Sequence, residues 1–488
     1  MITFCISLAL LIIAYFTYGK LCDKIFGVDP ERKTPAVAHP DGVDYIVMPK
    51  WKIFLIQFLN IAGLGPIFGA IMGAKFGTAS FIWIVLGCIF AGAMHDYFAG
   101  MMSLRHNGEG LPSTVGRYLG NKAQIGMRIF TLLLLIIVGV VFVSGPANLL
   151  AMLTPETLDA TFWIYVIFAY YIIATLFPID KIIGKIYPIF GFALLFMAIG
   201  ILCYLIFTFP DIPEITDGIK NMHPKAESNP IYPMMFVSIA CGAISGFHAT
   251  QSPMMARCMS NEKQGRPIFF GAMITEGIVA LVWAAAATFF FSPEGQELFG
   301  ITNAKVNSDA ASIVHIISYR WLGIIGGFLA ILGVIAAPIS TGDTAFRSAR
   351  LIVADFLNME QKSIKKRLLI SIPMFIIAIA ILIFSLAYED GFEIIWRYFA
   401  WSNQVLAVIT LWAITMFLKT KRNGWWWLIS FIPAIFMTSM TTTFILYAKI
   451  GIGLSYNIAV ISGILFTLLC SFWFIIKSNK DRESQQTI

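Results

Sequence analysis

The 488-residue sequence predicts an all-α polytopic membrane protein of about thirteen transmembrane helices, with a core of two inverted five-helix repeats in which helices 2 and 7 are broken. Three observations predict it. Hydrophobic residues make up 58% of the chain and charged residues only 12%, whereas a soluble protein is about half apolar and a quarter charged. Apolar runs of about twenty residues, the length a helix needs to cross hydrocarbon, recur almost end to end. Glycine and proline interrupt two of these runs near their middles. The mean hydropathy of +0.80 agrees.

In chain order the apolar segments fall at roughly 1–22, 51–73, 80–103, 124–150, 159–178, 184–209, 232–256, 267–291, 318–341, 368–388, 392–418, 425–447 and 452–477. The first has neither the basic start nor the small-residue cleavage site of a signal peptide, so it reads as a true helix. These segments group into four units. Residues 1–50 hold the first helix and its connection, 51–209 the first repeat, 210–418 the second, and 419–488 two accessory helices and a tail. The seven cysteines are scattered without metal spacing and read as small apolar packers.

The net charge of +7 is distributed unevenly, because every second connection is rich in Lys and Arg. Basic loops stay cytoplasmic. The pattern places the N-terminus outside and the C-terminus inside. It also accounts for the charge without nucleic acid as a partner; the expected partners are the lipid bilayer and a small-molecule substrate, with a monomer and a homo-oligomer equally compatible. Residues 347–367 have the apolar–polar mix of a short helix lying on the cytoplasmic surface.

Segment two contains NIAGLGPIFG, Asn60 to Gly69, and segment seven SIACGAISGFHATQSPMMARC, Ser238 to Cys258. A helix broken in lipid strands N–H and C=O groups at several kcal/mol each, so protein, water or ligand must satisfy them. Glycine permits the unwound backbone, and Pro66 suits the first position of a resumed helix. The two breaks lie five segments apart in helices of opposite direction, as inversion of an odd-numbered repeat requires. Segments four and nine, each with a proline (Pro146, Pro338), repeat the relation. Paired interrupted helices point to a transporter's central site.

Resumed helix ends attract anionic groups such as a substrate carboxylate. Asn60, Gly63, Gly65 and Pro66 are expected on one wall of that site, and Ser245, Gly246, His248, Thr250, Gln251 and Ser252 on the other. Leu59, Ala62 and Ala337 supply carbonyls, and Ser340 and Thr341 hydroxyls, for a sodium ion; the alternative is that both hydroxyls bond back to their own helix. A sodium ion is the one candidate bound ion, and no other cofactor is expected.

Ionisable residues at membrane depth are functional candidates. They are His95, Asp96 and Glu276, with Asp343 and Arg397 as gating groups. Adjacent helix residues point about 100° apart, so His95 and Asp96 are not expected to pair. His248 is either a proton carrier or a neutral core histidine. Glu393 and Arg397, at i and i+4, form either a gate or a plain surface pair. Arg347 and Arg350 read as inner-gate residues or basic anchors. No nucleophile–base set, HExxH or P-loop is present, so neither an enzyme nor a nucleotide-driven pump is indicated. A channel would share the polar breaks but lacks a reason for their inversion.

The blocks HDYFAGMMSLRHNGEGLP, SGFHATQSPMMARCMSNEKQGRP and STGDTAFRSARLIVAD, with NIAGLGPIFG, resemble the carbon starvation protein A family. That resemblance implies membership of the amino acid–polyamine–organocation superfamily and a fold like the leucine transporter's. It also implies a secondary transporter for peptides or pyruvate coupled to H+ or Na+, with an amino acid–sodium symporter as the alternative. NIAGLG is similar to the NAVGLG of sodium-coupled amino acid symporters, but Pro66 replaces the asparagine that follows there. At most one sodium site is then expected. The chain is shorter than the long family members.

Overall fold

The computed structural model describes every residue except 43, 44, 177, 178, 358, 360–362, 389, 390, 487 and 488. Among the described residues the chain is helices and connections, with no strand. Helices α1 (Ile2–Phe16) and α2 (Tyr18–Phe26) meet at Thr17. They are followed by α3 (Lys50–Ala62), α4 (Gly65–Ala74) and α5 (Ala79–Arg105). Next come α6 (Leu111–Leu119), α7 (Asn121–Leu153), α8 (Ala160–Leu176) and α9 (Ile179–Thr208), then α10 (231–238) and α11 (Gly246–Ala256). The remainder are α12 (Glu262–Phe290), α13 (Pro293–Phe299), α14 (Ala310–Leu357), α15 (Ile364–Ala387), α16 (Gly391–Lys421), α17 (Leu428–Tyr447) and α18 (Tyr456–Gln486).

Among the described residues, ten helices are long and apolar enough to cross a membrane, or eleven when the bent pair α3–α4 counts as one span. The segments near 159–178 and 232–256 fall short: α8 is too short, and α10–α11 is broken. The helices sort by burial. α12 is 89% buried and α18 only 17%, so α12 is a core helix and α18 turns its apolar side chains outward, as lipid contact demands. α5 and α16 join α12 inside, while α14 lies along α7 and α9. Cys5 and Cys203 are exposed on outer helices, so only some of the cysteines pack internally as expected.

Both expected breaks are present, one of them displaced. α3 ends at Ala62, Gly63 adopts φ +47° and ψ −140°, and α4 resumes at Gly65, turned by 52°. That φ lies where a β-carbon is strained, and at Gly63 the β-carbon would also stand 2.9 Å from the Phe142 ring. The second break spans Ile239 to Ser245, upstream of His248, Thr250, Gln251 and Ser252, all four of which lie within regular α11. Pro253 does not break α11, because at its eighth position the missing N–H needs only a local adjustment.

Glycines explain why the two breaks can touch. Gly65, Gly69 and Gly73, spaced four apart, form one stripe along α4. A β-carbon would meet Cys241 at 2.2 Å from Gly65, the Ser238 carbonyl at 2.9 Å from Gly69, and Ile239 at 2.2 Å from Gly73. The stripe therefore lets α4 lie directly on the 238–241 backbone, as small residues do at close helix crossings. Gly246 makes the corresponding approach to α16, where a β-carbon would stand 2.2 Å from the Ala407 nitrogen.

The basic surface helix expected at 347–367 is not separate. Residues 347–357 continue α14, and Arg347 and Arg350 are buried at 2% and 4% exposure, so neither is a solvated anchor. Arg347 donates to the Ala174 carbonyl on α8 at 2.9 Å. Asp343 is likewise fully buried instead of facing an aqueous mouth.

Gly246→Ala is expected to cost about 1–3 kcal/mol or more through backbone overlap with α16. It should lower Tm in detergent, whereas Gly126→Ala, on an exposed helix face with nothing within 4 Å, should hold or slightly raise Tm through alanine's higher helix propensity.

Candidate functional site

The site is assembled where α11, α5 and α12 meet behind the second break. His248, two residues into α11, places Nδ1 2.7 Å from Asp96 Oδ2 on α5. His95 Nδ1 lies 2.8 Å from the other oxygen of Asp96. The neighbours on α5 therefore do pair: both imidazoles bend toward the carboxylate between them, and side-chain rotation overcomes the 100° offset of an ideal helix. His248 Nε2 is 3.4 Å from Glu276 Oε2 on α12. All four side chains are fully buried.

An ionised Asp96 accepts from the Nδ1–H of both imidazoles, one on each oxygen. His248 Nε2 and Glu276 Oε2 are near enough to attract as charges but form no hydrogen bond among the described residues, and any change of charge in so buried a cluster is weakly screened.

The unwound backbone of the second break is satisfied by neighbours, as membrane depth requires. Trp83 Nε1 donates to the Ile239 carbonyl at 3.1 Å. Asn403 Oδ1 on α16 accepts from the Phe247 amide at 2.7 Å and from the Ser245 hydroxyl at 3.0 Å. Asn403 therefore caps α11 in place of an anionic substrate group, and Ser245 and Gly246 are committed to α16. Thr250 and Ser252 donate back to the carbonyls of Phe247 and His248. Gln251 donates to Thr250. The wall expected from these side chains is mostly turned into its own helix.

At the first break, Thr341 Oγ1 lies 2.9 Å from the Ala337 carbonyl and 3.2 Å from the Leu59 carbonyl, and Ser340 Oγ lies 2.7 Å from Ala337. Four of the five groups expected around sodium thus converge, with the hydroxyls also bonded back to their own helix. Asn60 is fully buried with both amide atoms lacking a hydrogen bond among the described residues, and so is Gln57, one turn earlier.

The two faces differ in access. On the face carrying the basic connections, Arg105 donates to Glu262 at 2.9 and 3.0 Å and lies 4.0 Å above the Phe26 ring. Glu262 also accepts from the Asp29 amide and stands 3.7 Å from Arg32. The Met48 amide donates to the Cys258 carbonyl, tying the entry of α3 to the exit of α11. A cavity of about 40 Å3 lies there, beside Thr250 and Pro253. The opposite face holds a cavity of about 550 Å3 that includes Arg397, Lys75 and His223 and reaches Phe68 and Trp396. None of the ten residues expected to bind substrate lines it. Glu393, the expected partner of Arg397, has its side chain outside the described residues.

Sequence reasoning missed Asn403, Trp83 and Gln57. Asn403 and Gln57 carried the same signal that marked Asn60, an amide inside an apolar span.

Comparison with known proteins follows the same lines. A sequence model described as carbon starvation protein CstA matches residues 1–158, 150–325 and 310–444. An uncharacterized membrane protein of Haemophilus influenzae is 45% identical over 337 residues, 59% of this chain and 90% of its own. The peptide transporter CstA of Escherichia coli is 24% identical, covering 90% of this chain and 79% of its own. The pyruvate/proton symporter BtsT of Escherichia coli is 25% identical over 58% of this chain and 48% of its own. Among solved structures, the manganese transporter of Eremococcus coleocola matches with a TM-score of 0.58 at 12% identity, covering 91% of this chain and 99% of that one. That likeness is one of fold. Among the described residues no group of three or more His, Cys, Asp or Glu is placed to hold a metal ion.

Removing the cap tests its role. Asn403→Leu strands the Phe247 amide and should cost about 1–3 kcal/mol, read as a lowered Tm; Asn403→Asp keeps the acceptor and should lose less.

Proposed function

The chain belongs to the carbon starvation protein CstA family, and from that premise we propose that it is a secondary transporter importing a small carboxylate-bearing nutrient, a peptide or pyruvate, with protons. Peptide and pyruvate are the substrates named for relatives of the chain. In this reading thirteen spans form an inverted five-plus-five core resembling the leucine transporter's, flanked by residues 1–50 and 419–488. The basic face is cytoplasmic, the membrane is the bacterial inner membrane, and the open cavity faces outward.

The observation that carries the coupling is the buried His95–Asp96–His248–Glu276 cluster. His248 rides on the broken helix, whereas Asp96 and Glu276 sit on α5 and α12. Any tilt of α11 therefore changes both contacts of one imidazole at once. Burying a charge with no partner costs several kcal/mol, so proton uptake or release and tilting of α11 favour each other. Asn60 and Gln57, buried beside the first break without protein partners, are where polar atoms of a substrate would be received. The clasp at Glu262 holds the cytoplasmic path shut while the outer path is open, as alternating access requires.

A second reading has its own support: sodium at the oxygens of Leu59, Ala337, Ser340 and Thr341, which already lie within hydrogen-bond distance of one another. Ala62 would complete the set.

Proteoliposomes with the pH gradient and the sodium gradient imposed separately decide between them. Under proton coupling, Asp96→Asn and Glu276→Gln should each reduce accumulation of labelled pyruvate or dialanine driven by the pH gradient by roughly a hundredfold, the loss expected of a missing proton carrier, while substrate exchange at equal pH persists. Unchanged accumulation in both variants would reject the cluster. Loss of accumulation in Ser340→Ala/Thr341→Ala, seen only with a sodium gradient, would establish sodium instead.

A further inference from the structure

We propose that Asn403 is a positioning residue for proton coupling: from α16 it holds the first turn of α11 in the place that sets His248 against Asp96 and Glu276. This deepens the transport reading above and rests on it. An α-helix begins with amides that have no partner in the helix itself, and a serine at the N-cap ordinarily accepts from one of them. Ser245 is the N-cap of α11, yet among the described residues its side chain caps no amide of that helix. It donates outward, to Asn403 Oδ1 at 3.0 Å. The same oxygen accepts from the Phe247 amide at 2.7 Å. The cap of α11 is therefore supplied by another helix, and the residue after the capped amide is His248.

The hold extends across the whole joint. Asn403 Nδ2 donates to Cys241 Sγ at 3.4 Å, inside the unwound stretch. Gln404 Nε2, on the next residue, donates to the Phe236 carbonyl of α10 at 2.7 Å. Two adjacent amide side chains thus grip the chain before, within and after the break. Gly246 fixes the depth of the contact, since a β-carbon there would stand 2.6 Å from the Asn403 carbonyl oxygen and 2.2 Å from the Ala407 nitrogen. α16 is itself fastened to α17. Trp401 Nε1 donates to the Thr441 carbonyl at 3.0 Å, Trp412 Nε1 to the Thr438 hydroxyl at 3.1 Å, and Thr415 Oγ1 to Ser430 Oγ at 2.9 Å. The Tyr232 hydroxyl of α10 lies 2.8 Å from Ser439 Oγ, also on α17. The second break is therefore braced from one side by a pair of helices.

On its other side the same turn presents His248 to α5 and α12. The ionisable groups facing the imidazole there are Asp96, with His95 beyond it, and Glu276. The residues of α16 against which the turn lies, Asn403, Leu406 and Ala407, are uncharged. α16 thus acts on the cluster through position and not through charge. His248 Nδ1 is 2.7 Å from Asp96 Oδ2, and a donor–acceptor distance beyond about 3.5 Å is no longer a hydrogen bond. Lengthening Asn403 by one carbon–carbon bond, about 1.5 Å, exceeds the slack between those two distances.

Proteoliposomes carrying the wild type, Asn403→Gln, Ser245→Ala and the cluster variants Asp96→Asn and Glu276→Gln test the assignment. Each is assayed with labelled pyruvate and dialanine for accumulation driven by a pH gradient and for exchange at equal pH, and its folding is checked by Tm in detergent. Asn403→Gln keeps the amide but displaces the turn, and should lower accumulation about ten- to hundredfold, the range for a group held about 1 Å out of place, with exchange retained. Ser245→Ala removes one of the two bonds to Asn403 Oδ1 without adding an atom, and should lower accumulation about two- to fivefold, again with exchange retained. A merely structural role would lower both readouts together, through a smaller folded fraction. A folded Asn403→Gln that accumulates like the wild type, or either variant losing accumulation and exchange in parallel, would overturn the positioning role, while coupling stands as long as the cluster variants lose accumulation alone. Where Asn403→Gln does not fold, Ser245→Ala decides by the same split. A wild type that accumulates neither probe, or cluster variants that accumulate as well as the wild type, would remove the coupling reading and the positioning role with it.

Discussion

The structure depends on one constraint: a peptide backbone opened inside a membrane must find hydrogen-bond partners within the protein. Two helices open here, at Gly63–Leu64 and at 239–245, and the surrounding architecture answers that demand. The glycine stripe of α4 brings the first resumed helix onto the second break. Trp83 satisfies the Ile239 carbonyl and Asn403 the Phe247 amide. Thr341 satisfies the Leu59 carbonyl at the end of α3. Each partner comes from a different helix, so the two breaks are held by the whole bundle. A rearrangement at either one is transmitted to α5, α14 and α16.

That arrangement gives the ionisable cluster its meaning. A histidine on a continuous buried helix would be a fixed structural group. His248 instead sits just past an unwound joint, in contact with carboxylates on two unbroken helices. The difference in access between the faces completes the picture. Glu262 is 1% exposed and held by Arg105, Arg32 and a backbone amide, while the opposite face opens on a cavity of about 550 Å3. In the proposed mechanism, coupling is a matter of which charges are paired in each arrangement of the joint, where burying one unpaired charge costs several kcal/mol.

The first break was legible in the sequence because three glycines and a proline cluster in the middle of one lipid-spanning run. NIAGLGPIFG located the first break to within a residue or two. The second was placed too far along, because Gly246 and Pro253 look like breakers but serve close packing and a tolerated mid-helix position. Helix periodicity put Ala337, Ser340 and Thr341 on one face and the first break brought in Leu59, and the structure places these four close together. The His95–Asp96 pair was misjudged because periodicity fixes where side chains leave the helix, not where rotation carries their tips. Arg347 and Arg350 were left open between inner gate and basic anchor, because a hydropathy profile cannot show α14 running on past the apolar stretch and burying both. Asn403 stood out as an amide in an apolar span, but its capping role did not, because its partners lie about 160 residues away. Likeness to the CstA family bears out the resemblance carried by the four sequence blocks.

The central claim is that substrate entry and protonation of the buried cluster are one event. It is tested most directly by trapping a pH-sensitive dye inside proteoliposomes of the wild-type protein and adding pyruvate or dialanine outside, with no initial pH gradient and no sodium. The account predicts that the lumen acidifies in step with substrate entry, with a fixed ratio of protons to substrate. Substrate entry with the lumen remaining at its starting pH would contradict it.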